Sequence, residues 1–207
     1  MPNNNTLEKN MQIQTRKKVY TPEEYLLLEE NAEDKHEYLD GEIISMTGGT
    51  TNHNEIASNF CAYLKFALKG KNYRVFIGDV RLWIPDYNLY TYPDIMIIED
   101  QPIYHQSRTD TVTNPFIVVE VLSKSTANYD RGDKFKFYRS IPEFKEYILI
   151  DQYQFYIEQY VKTSEDKWEV TYYESEGSSL KLTALDFEIT FSDLYERVDF
   201  NNQGEER

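Results

Sequence analysis

The sequence predicts an α/β domain in which helices cover a central β-sheet. Two near-continuous apolar runs, at 95–98 and 116–122, are typical of strands buried on both faces. Between His53 and Leu68, apolar residues recur at helical spacing, as expected for a helix that packs on such a sheet. Beyond residue 150, polar and apolar residues alternate, which predicts additional antiparallel strands at the C-terminal end.

The first elements have clear start and turn signals. Thr21 and Pro22, followed by two acidic residues, predict the start of a helix, and the leucines at 26–28 are expected to form its apolar side. Asp40-Gly41 lies between apolar pairs and predicts a hairpin, because both turn residues tolerate positive φ. The helix that begins near His53 is expected to end at Gly70.

The later elements are assigned by their apolar runs and turn residues. Strands are predicted at 73–77 and 80–84, followed by a turn at 85–88. The polar stretch 99–114 predicts a surface loop. We further expect a short helix at 130–140, a buried strand at 147–150 and a last short helix near 192–196.

The chain length of 207 residues favours one domain. We assign residues 1–18 to a disordered N-terminal arm, 19–198 to a single domain and 199–207 to a flexible tail. Membrane insertion is not expected, because apolar runs are shorter than the roughly 18 residues that a spanning helix needs. The single cysteine, Cys61, is expected to be a buried thiol in a cytoplasmic protein.

The net charge of −14 argues against a surface that binds nucleic acid or membranes throughout. The charge is uneven, however. Residues 23–42 and 151–207 carry net charges of −8 and −9, whereas 60–82 and 120–150 carry +4 and +1. The middle of the chain is therefore the part best suited to a polyanionic partner, although ordinary solvated faces also explain these charges.

Two carboxylates occur where a sheet core would exclude them. Glu120 interrupts an apolar strand and Asp94 begins another. A buried carboxylate costs several kcal/mol unless it is paired, hydrogen-bonded or bound to a cation. If the strands are neighbours, either one carboxylate is protonated or a divalent ion such as Mg²⁺ bridges them. The alternative is that Glu120 pairs with a helix Lys or Arg while Asp94 caps a turn.

Lys134 lies on the helix that follows the Glu120 strand. A lysine beside a metal-bound water orients the water for attack and stabilises charge on a phosphate. The alternative is a pair between Asp130 and Lys134 at i,i+4, worth about 0.2–0.5 kcal/mol. Both arrangements are compatible with the spacing.

An ordered set of motifs resembles a known enzyme family. The motifs are Glu37-Tyr-Leu-Asp-Gly-Glu, His53, Tyr92-Pro-Asp-Ile, Val118-Val-Glu-Val-Leu-Ser, Asp130 with Lys134 and Tyr138, and Glu146-Tyr-Ile-Leu-Ile-Asp151. From about residue 20 to 195, the chain is similar to a restriction-endonuclease family, long described as a domain of unknown function, within the PD-(D/E)XK nuclease superfamily.

The resemblance implies a restriction-endonuclease-like mixed β-sheet flanked by helices. It further implies that Asp94, Glu120 and the Val121 carbonyl bind Mg²⁺, which Mn²⁺ can replace, and that Glu37 joins them through water. Lys134 would be the catalytic lysine, although the superfamily usually places it two positions after the glutamate, where this chain has Leu122. His53 also matches the family, where it would meet a phosphate or tune the metal-bound water; the alternative is that it caps the helix.

These features predict a Mg²⁺-dependent endonuclease that hydrolyses DNA phosphodiester bonds. Because two centres are needed to cut both strands, the resemblance also suggests a homodimer. Two alternatives stay open. The chain is a non-catalytic binding or assembly module on the same fold, which its acidity and the lack of a DNA-reading motif favour, or it is a nuclease selective for junctions or flaps.

Overall fold

The computed structural model describes residues 18–46 and 48–201. Five α-helices are described: α1 Pro22–Glu29, α2 Thr51–Ala67, α3 Ala127–Tyr129, α4 Phe135–Tyr138 and α5 Phe191–Leu194. A 3-10 turn, Pro85–Tyr87, and a π-helix, Asp130–Lys134, complete the helical elements. The strands are β1 His36–Leu39, β2 Glu42–Ser45, β3 Tyr73–Ile77, β4 Arg81–Ile84, β5 Leu89–Thr91, β6 Ile95–Glu99, β7 Thr111–Val112, β8 Ile117–Leu122, β9 Glu146–Asp151, β10 Ile157–Ser164, β11 Lys167–Tyr173, β12 Ser179–Leu182 and β13 Phe187–Thr190.

The centre of the molecule is a six-stranded mixed sheet in the order β11-β10-β9-β8-β6-β3. Strands β8 and β9 are parallel, and the other neighbours are antiparallel. Every residue of β8 is buried, because both faces of this strand are covered. The predicted mixed sheet flanked by helices, with extra C-terminal strands, is thus confirmed.

Two apolar layers cover this sheet. On one face, α2 packs with α5 and the β12-β13 hairpin, and Phe60 and Phe187 meet edge to face. On the other face lie β4, β5 and the helical segment that contains α4, with Tyr138 and Phe144 in the core. The predicted burial of Cys61 is confirmed. Within the described residues, no helix is long and apolar enough to cross a membrane.

The strands β4 and β5, which cover one face of the central sheet, belong to a second sheet, in the order β2-β1-β5-β4-β7. Its β1-β2 hairpin turns at Asp40 and Gly41, with φ of 44° and 99°, as the Asp-Gly pair predicts. Thr21 caps α1 in a capping box, also as predicted. The helix packs on this sheet through Tyr25, which stacks on Tyr38.

Three details of the sequence-based assignment are wrong or incomplete. Leu27 and Leu28 are 65% and 50% exposed, because consecutive helical residues point 100° apart and α1 buries Tyr25 and Leu26 instead. Residues 99–114 are not entirely a surface loop, because β7 pairs with β4 and is buried. A two-residue strand is too short to show a pattern. Strand β5, with three residues, is likewise too short for the sequence to predict.

The ends of the chain are only partly described. Residues 1–17 and 202–207 lie outside the described residues, so the predicted arm and most of the predicted tail stay predictions. Phe200 packs against Phe155 and Tyr195, two residues beyond the predicted domain boundary at 198.

Candidate active site

The strand register places Asp94 and Glu120 side by side. Strands β6 and β8 are antiparallel neighbours, with Ile95 opposite Val119. The Asp94 N–H donates to Glu120 Oε2 at 3.1 Å, and the Val121 N–H donates to Asp94 Oδ2 at 2.8 Å. The two carboxylates predicted to conflict with an apolar core are therefore direct neighbours.

Lys134 projects from the π-helix onto Glu120. Its Nζ lies 3.1 Å from Glu120 Oε1, 3.2 Å from Asp130 Oδ1 and 3.8 Å from Glu37 Oε1. Its side chain is 9% exposed, so these pairs form in a dry environment. Both structural alternatives inferred from the sequence are present together, namely the salt bridge from Glu120 to a helix lysine and the i,i+4 pair with Asp130. A π-helical turn at this point is typical of functional sites.

Glu37 reaches the site from the second sheet. It lies on β1, is buried and accepts a hydrogen bond from the Thr91 hydroxyl at the end of β5. Thr91 is itself buried, so the position of Glu37 is set by packing and by this bond. The structure thus brings Glu37 to Lys134, and its role at a metal site through water stays a prediction.

His53 completes the open side of the site. Its Nε2 lies 3.0 Å from Asp94 Oδ2, and the two side chains are 20% and 23% exposed. The cap of α2 is Thr50, whose Oγ1 accepts the His53 N–H at 3.1 Å. His53 therefore faces the carboxylate rather than capping the helix.

Burial and charge shift the ionisation of these groups. Burial raises the pKa of Glu120 to about 8, and the charges of Asp94 and Asp130 act in the same direction against the opposing effect of Lys134. Burial lowers the pKa of Lys134, but Glu120, Glu37 and Asp130 more than offset it, so the net pKa lies well above its usual value.

The same competition applies to His53. Burial lowers its pKa, but the hydrogen bond and charge of Asp94 outweigh the burial, and the net pKa is raised. The imidazole at the mouth of the site therefore favours its protonated form more than a free histidine does. Its proton stabilises the Asp94 carboxylate.

Two further residues of the site have no role assigned from the sequence. Tyr138 donates to Glu120 Oε1 at 2.7 Å, and Thr91 holds Glu37. Asp130, which the spacing predicts to pair with Lys134, does so and carries a buried Oδ1 outside hydrogen-bond geometry. The spacing of Asp130, Lys134 and Tyr138 at i, i+4 and i+8 places them on one helical face, which is a signal for Tyr138. Thr91 precedes Asp94 by three residues without any such signal.

The donor set suits a hard divalent cation. Mg²⁺ in proteins is commonly bound by one or two carboxylates and keeps several waters. Asp94 Oδ2 and Glu120 Oε1 each already take part in two hydrogen bonds or ion pairs, whereas Glu120 Oε2 accepts one hydrogen bond. The oxygens suited to a cation are therefore Asp94 Oδ1 and Glu120 Oε2, which has a second lone pair. In the described part of the chain, no three His, Cys, Asp or Glu side chains form a preassembled metal cluster. Val121 contributes its N–H to Asp94, and cation binding by its carbonyl stays a prediction.

The mixed sheet, the paired carboxylates and the lysine from the following helix define a protein with a nuclease fold. The chain belongs to the Uma2 family, whose model, described as "Putative restriction endonuclease", matches residues 22–192. The resemblance inferred from the motifs is thereby confirmed.

Two proteins from Synechocystis and one solved structure are similar to this chain. The uncharacterized protein sll1609 is 38% identical over 175 residues, covering 84% of this chain and 99% of its own. The uncharacterized protein slr1290 is 35% identical over 170 residues, covering 82% and 88%. A crystal structure of a "putative nuclease belonging to DUF820" from Anabaena variabilis superposes with a TM-score of 0.70 at 18% identity, covering 85% of this chain and 97% of that one. This superposition shows the shared fold.

Proposed function

We propose that this protein is a Mg²⁺-dependent endonuclease that hydrolyses DNA phosphodiester bonds, with Asp94 and Glu120 as the metal ligands. The observation that carries the proposal is the pairing of these two carboxylates across neighbouring strands, with Lys134 on Glu120. Membership of the restriction-endonuclease family supports the same reaction class.

The charge balance of the site favours a cation. Lys134 faces the buried carboxylates of Glu37, Glu120 and Asp130, and Asp94 adds a fourth acidic group that pairs with His53. The acidic groups therefore outnumber the basic ones in a poorly hydrated space, where like charges strongly repel. A divalent ion would remove this repulsion and favour the ionised form of Glu120.

Each residue has a distinct role in this proposal. Asp94 and Glu120, together with the Val121 carbonyl, would hold the ion, and Glu37 would join them through water. A bound divalent ion polarises a phosphate oxygen and lowers the pKa of its water. Lys134 donates a hydrogen bond that orients the attacking water and stabilises charge on the phosphate, while His53 meets the phosphate at the exposed side of the site.

The wider setting is part of the same proposal. We assign duplex DNA as the substrate and a homodimer as the assembly, because cutting both strands takes two centres. A single buried cysteine is consistent with the reducing cytoplasm. The net charge of −14 predicts weak, salt-sensitive binding to random DNA without metal.

DNA cleavage tests the proposed reaction. Wild-type protein incubated with supercoiled plasmid is expected to nick it in Mg²⁺ or Mn²⁺ and not in EDTA, and Glu120→Ala is expected to abolish nicking. Lys136→Met is the matched control, because Lys136 is exposed on the same helical segment. Nicking by Glu120→Ala at the wild-type rate would overturn the mechanism.

A non-catalytic module is the second candidate. It is favoured by the absence of a three-ligand cluster among the described residues and by Lys134, which already pairs with Glu120. Calorimetry with Mg²⁺ or Mn²⁺ separates the two candidates, because a module has no reason to bind the ion through Asp94. Equal binding by wild type and Asp94→Ala would favour the module.

A further inference from the structure

A ring of hydrogen bonds, closed through the Val121–Leu122 backbone, includes the Asp94 and His53 side chains of the candidate site. It begins at Asp94 Oδ2, which accepts the Val121 N–H at 2.8 Å, and passes along the chain to the Leu122 carbonyl. That carbonyl accepts from Gln152 Nε2 at 2.8 Å, and the Thr50 hydroxyl donates to Gln152 Oε1. Thr50 Oγ1 accepts the His53 N–H at 3.1 Å, and His53 Nε2 returns to Asp94 Oδ2 at 3.0 Å.

The donors and acceptors of the ring are mutually consistent. The Thr50 hydroxyl donates once and accepts once, and the Gln152 amide donates through nitrogen and accepts through oxygen. Reversing the amide of Gln152 would place its oxygen against the Leu122 carbonyl, so that two acceptors would face each other. The ring therefore has one favourable orientation at each member.

Gln152 is the member that joins separate elements. It follows β9 directly and is 1% exposed, and the parallel register places Leu122 opposite Asp151, beside it. Its side chain connects the end of β8, which carries Glu120 and Val121, to the start of α2, which carries His53. A buried amide is costly unless both of its ends are hydrogen-bonded, and here both are.

We propose that Gln152 and Thr50 are positioning residues that hold His53 against Asp94 and so set the orientation of the proposed metal ligand. The proposal rests on the proposed function for its catalytic consequence, whereas the ring itself is a property of the protein without metal. Supporting residues of this kind typically change metal affinity or activity by about 10–100-fold when they are removed.

Two substitutions open the ring at different points. Gln152→Met preserves the volume and removes both hydrogen bonds while the Thr50 cap of α2 stays intact. Thr50→Val removes the hydroxyl from both neighbours, and Thr50→Ser retains it. Gln154→Ala is the matched control, because Gln154 lies on the same turn, is exposed and contacts Asp151 instead.

The first readout is the NMR signal of the His53 Nε2 proton in the protein without metal, assigned by comparison with His53→Gln. We expect a hydrogen-bonded signal in wild type, Thr50→Ser and Gln154→Ala, and its loss in Gln152→Met and Thr50→Val. His36 is an internal reference, because its Nδ1 lies 3.0 Å from Glu29 outside the ring and its signal is expected to stay unchanged. This readout also shows whether each variant is folded.

The second readout is plasmid nicking in Mg²⁺, which is expected to fall about 10–100-fold in the two ring-opening variants and to recover in Thr50→Ser. An unchanged His53 signal in Gln152→Met and Thr50→Val would overturn the proposal, and so would the loss of that signal in Thr50→Ser. If wild type nicks no DNA, the proposed function fails, and the His53 signal still decides whether the ring exists.

Discussion

At the scale of single residues, Lys134 determines whether the buried carboxylates of the site are tolerated. Its ammonium contacts Glu120 and Asp130 and approaches Glu37, and its own burial leaves little water to replace these contacts. Tyr138 adds a neutral donor to Glu120. Even so, negative charge remains in excess, which is the physical basis for the proposed cation.

Replacing Lys134 is expected to destabilise the fold. In Lys134→Met, three buried carboxylates lose their cationic partner, and removing one member of a buried pair typically costs about 3–5 kcal/mol. Urea unfolding followed by circular dichroism measures this difference, with Lys136→Met as the exposed control. A loss of stability no greater than that of the control would show that Lys134 is not a structural counter-ion.

Glu120 predicts a pH dependence of the protein without metal. Burial raises its pKa to about 8 in the folded chain, against 4.5 for an exposed glutamate. Between these two pKa values, Glu120 holds a proton in the folded state that it has lost in the unfolded state. Its contribution to the free energy of unfolding is therefore complete below pH 4.5 and is lost as the pH rises through about 8. Lys134 stays protonated throughout this range and therefore does not change the free energy of unfolding with pH.

Glu120→Gln isolates this effect from other groups. Unfolding free energies measured in EDTA at several pH values in this range should fall more steeply with pH for wild type than for the variant. His53 and Glu146 also have raised pKa values and contribute in the same direction to both proteins. An equal fall of the unfolding free energy with pH in wild type and Glu120→Gln would contradict the raised pKa of Glu120.

At the scale of elements, the approach to α2 controls the position of His53. Gly48 and Gly49 precede the Thr50 cap, and only one of them is crowded. A Cβ at Gly49 would lie 3.0 Å from His53 Nδ1, whereas a Cβ at Gly48 would meet nothing within 4 Å. The contrast between the two positions is therefore steric.

The two glycines give a matched pair of substitutions. Gly49→Ala is expected to push the imidazole by a few tenths of an ångström relative to Asp94 and so to slow Mg²⁺-dependent nicking, by less than the roughly 100-fold that a misplacement of about 1 Å costs. Gly48→Ala is expected to leave the rate unchanged. The His53 NMR signal and the nicking rate check both variants, and equal effects of the two substitutions would refute the steric explanation.

The C-terminal strands depend on a second buried carboxylate. Glu146, at the start of β9, accepts hydrogen bonds from the N–H groups of Thr183 and Ala184 and from the amide of Gln159. This carboxylate ties the segment between β12 and β13 to the central sheet.

Replacing Glu146 by Gln would turn one acceptor into a donor that faces a backbone N–H. The variant is expected to lose about 1–3 kcal/mol of stability, the cost of leaving a buried polar group unsatisfied. Denaturant unfolding measures the loss, and Glu143→Gln, at an exposed position, is the control. A variant as stable as wild type would show that these hydrogen bonds contribute little.

At the scale of the whole molecule, the sequence predicts most of the fold because the signals are local. The Asp40-Gly41 hairpin, the α2 periodicity and the apolar strands β6 and β8 each follow from a short stretch of residues. Strands β5 and β7 are two or three residues long and depend on pairing with β4, which no local pattern reveals.

The residues of the candidate site also fall into two groups, those that a local sequence signal marks and those that no local signal marks. Local sequence marks Glu120, which interrupts an apolar run, Asp94, which begins one, and Lys134, which lies on the helix that follows. Thr91 and Gln152 act only through hydrogen bonds to residues brought near by the fold, so nothing in their local sequence marks them.

Calorimetric titration of Mn²⁺ into the protein tests the central claim, that Asp94 and Glu120 bind a divalent cation, most directly. Wild type is expected to bind the ion with a measurable heat. In Asp94→Asn, we expect this heat to disappear or the affinity to fall about 10-fold or more. Binding should release protons, because Glu120 must ionise to hold the ion. Absence of binding by wild type, or equal binding by wild type and Asp94→Asn, would contradict the claim.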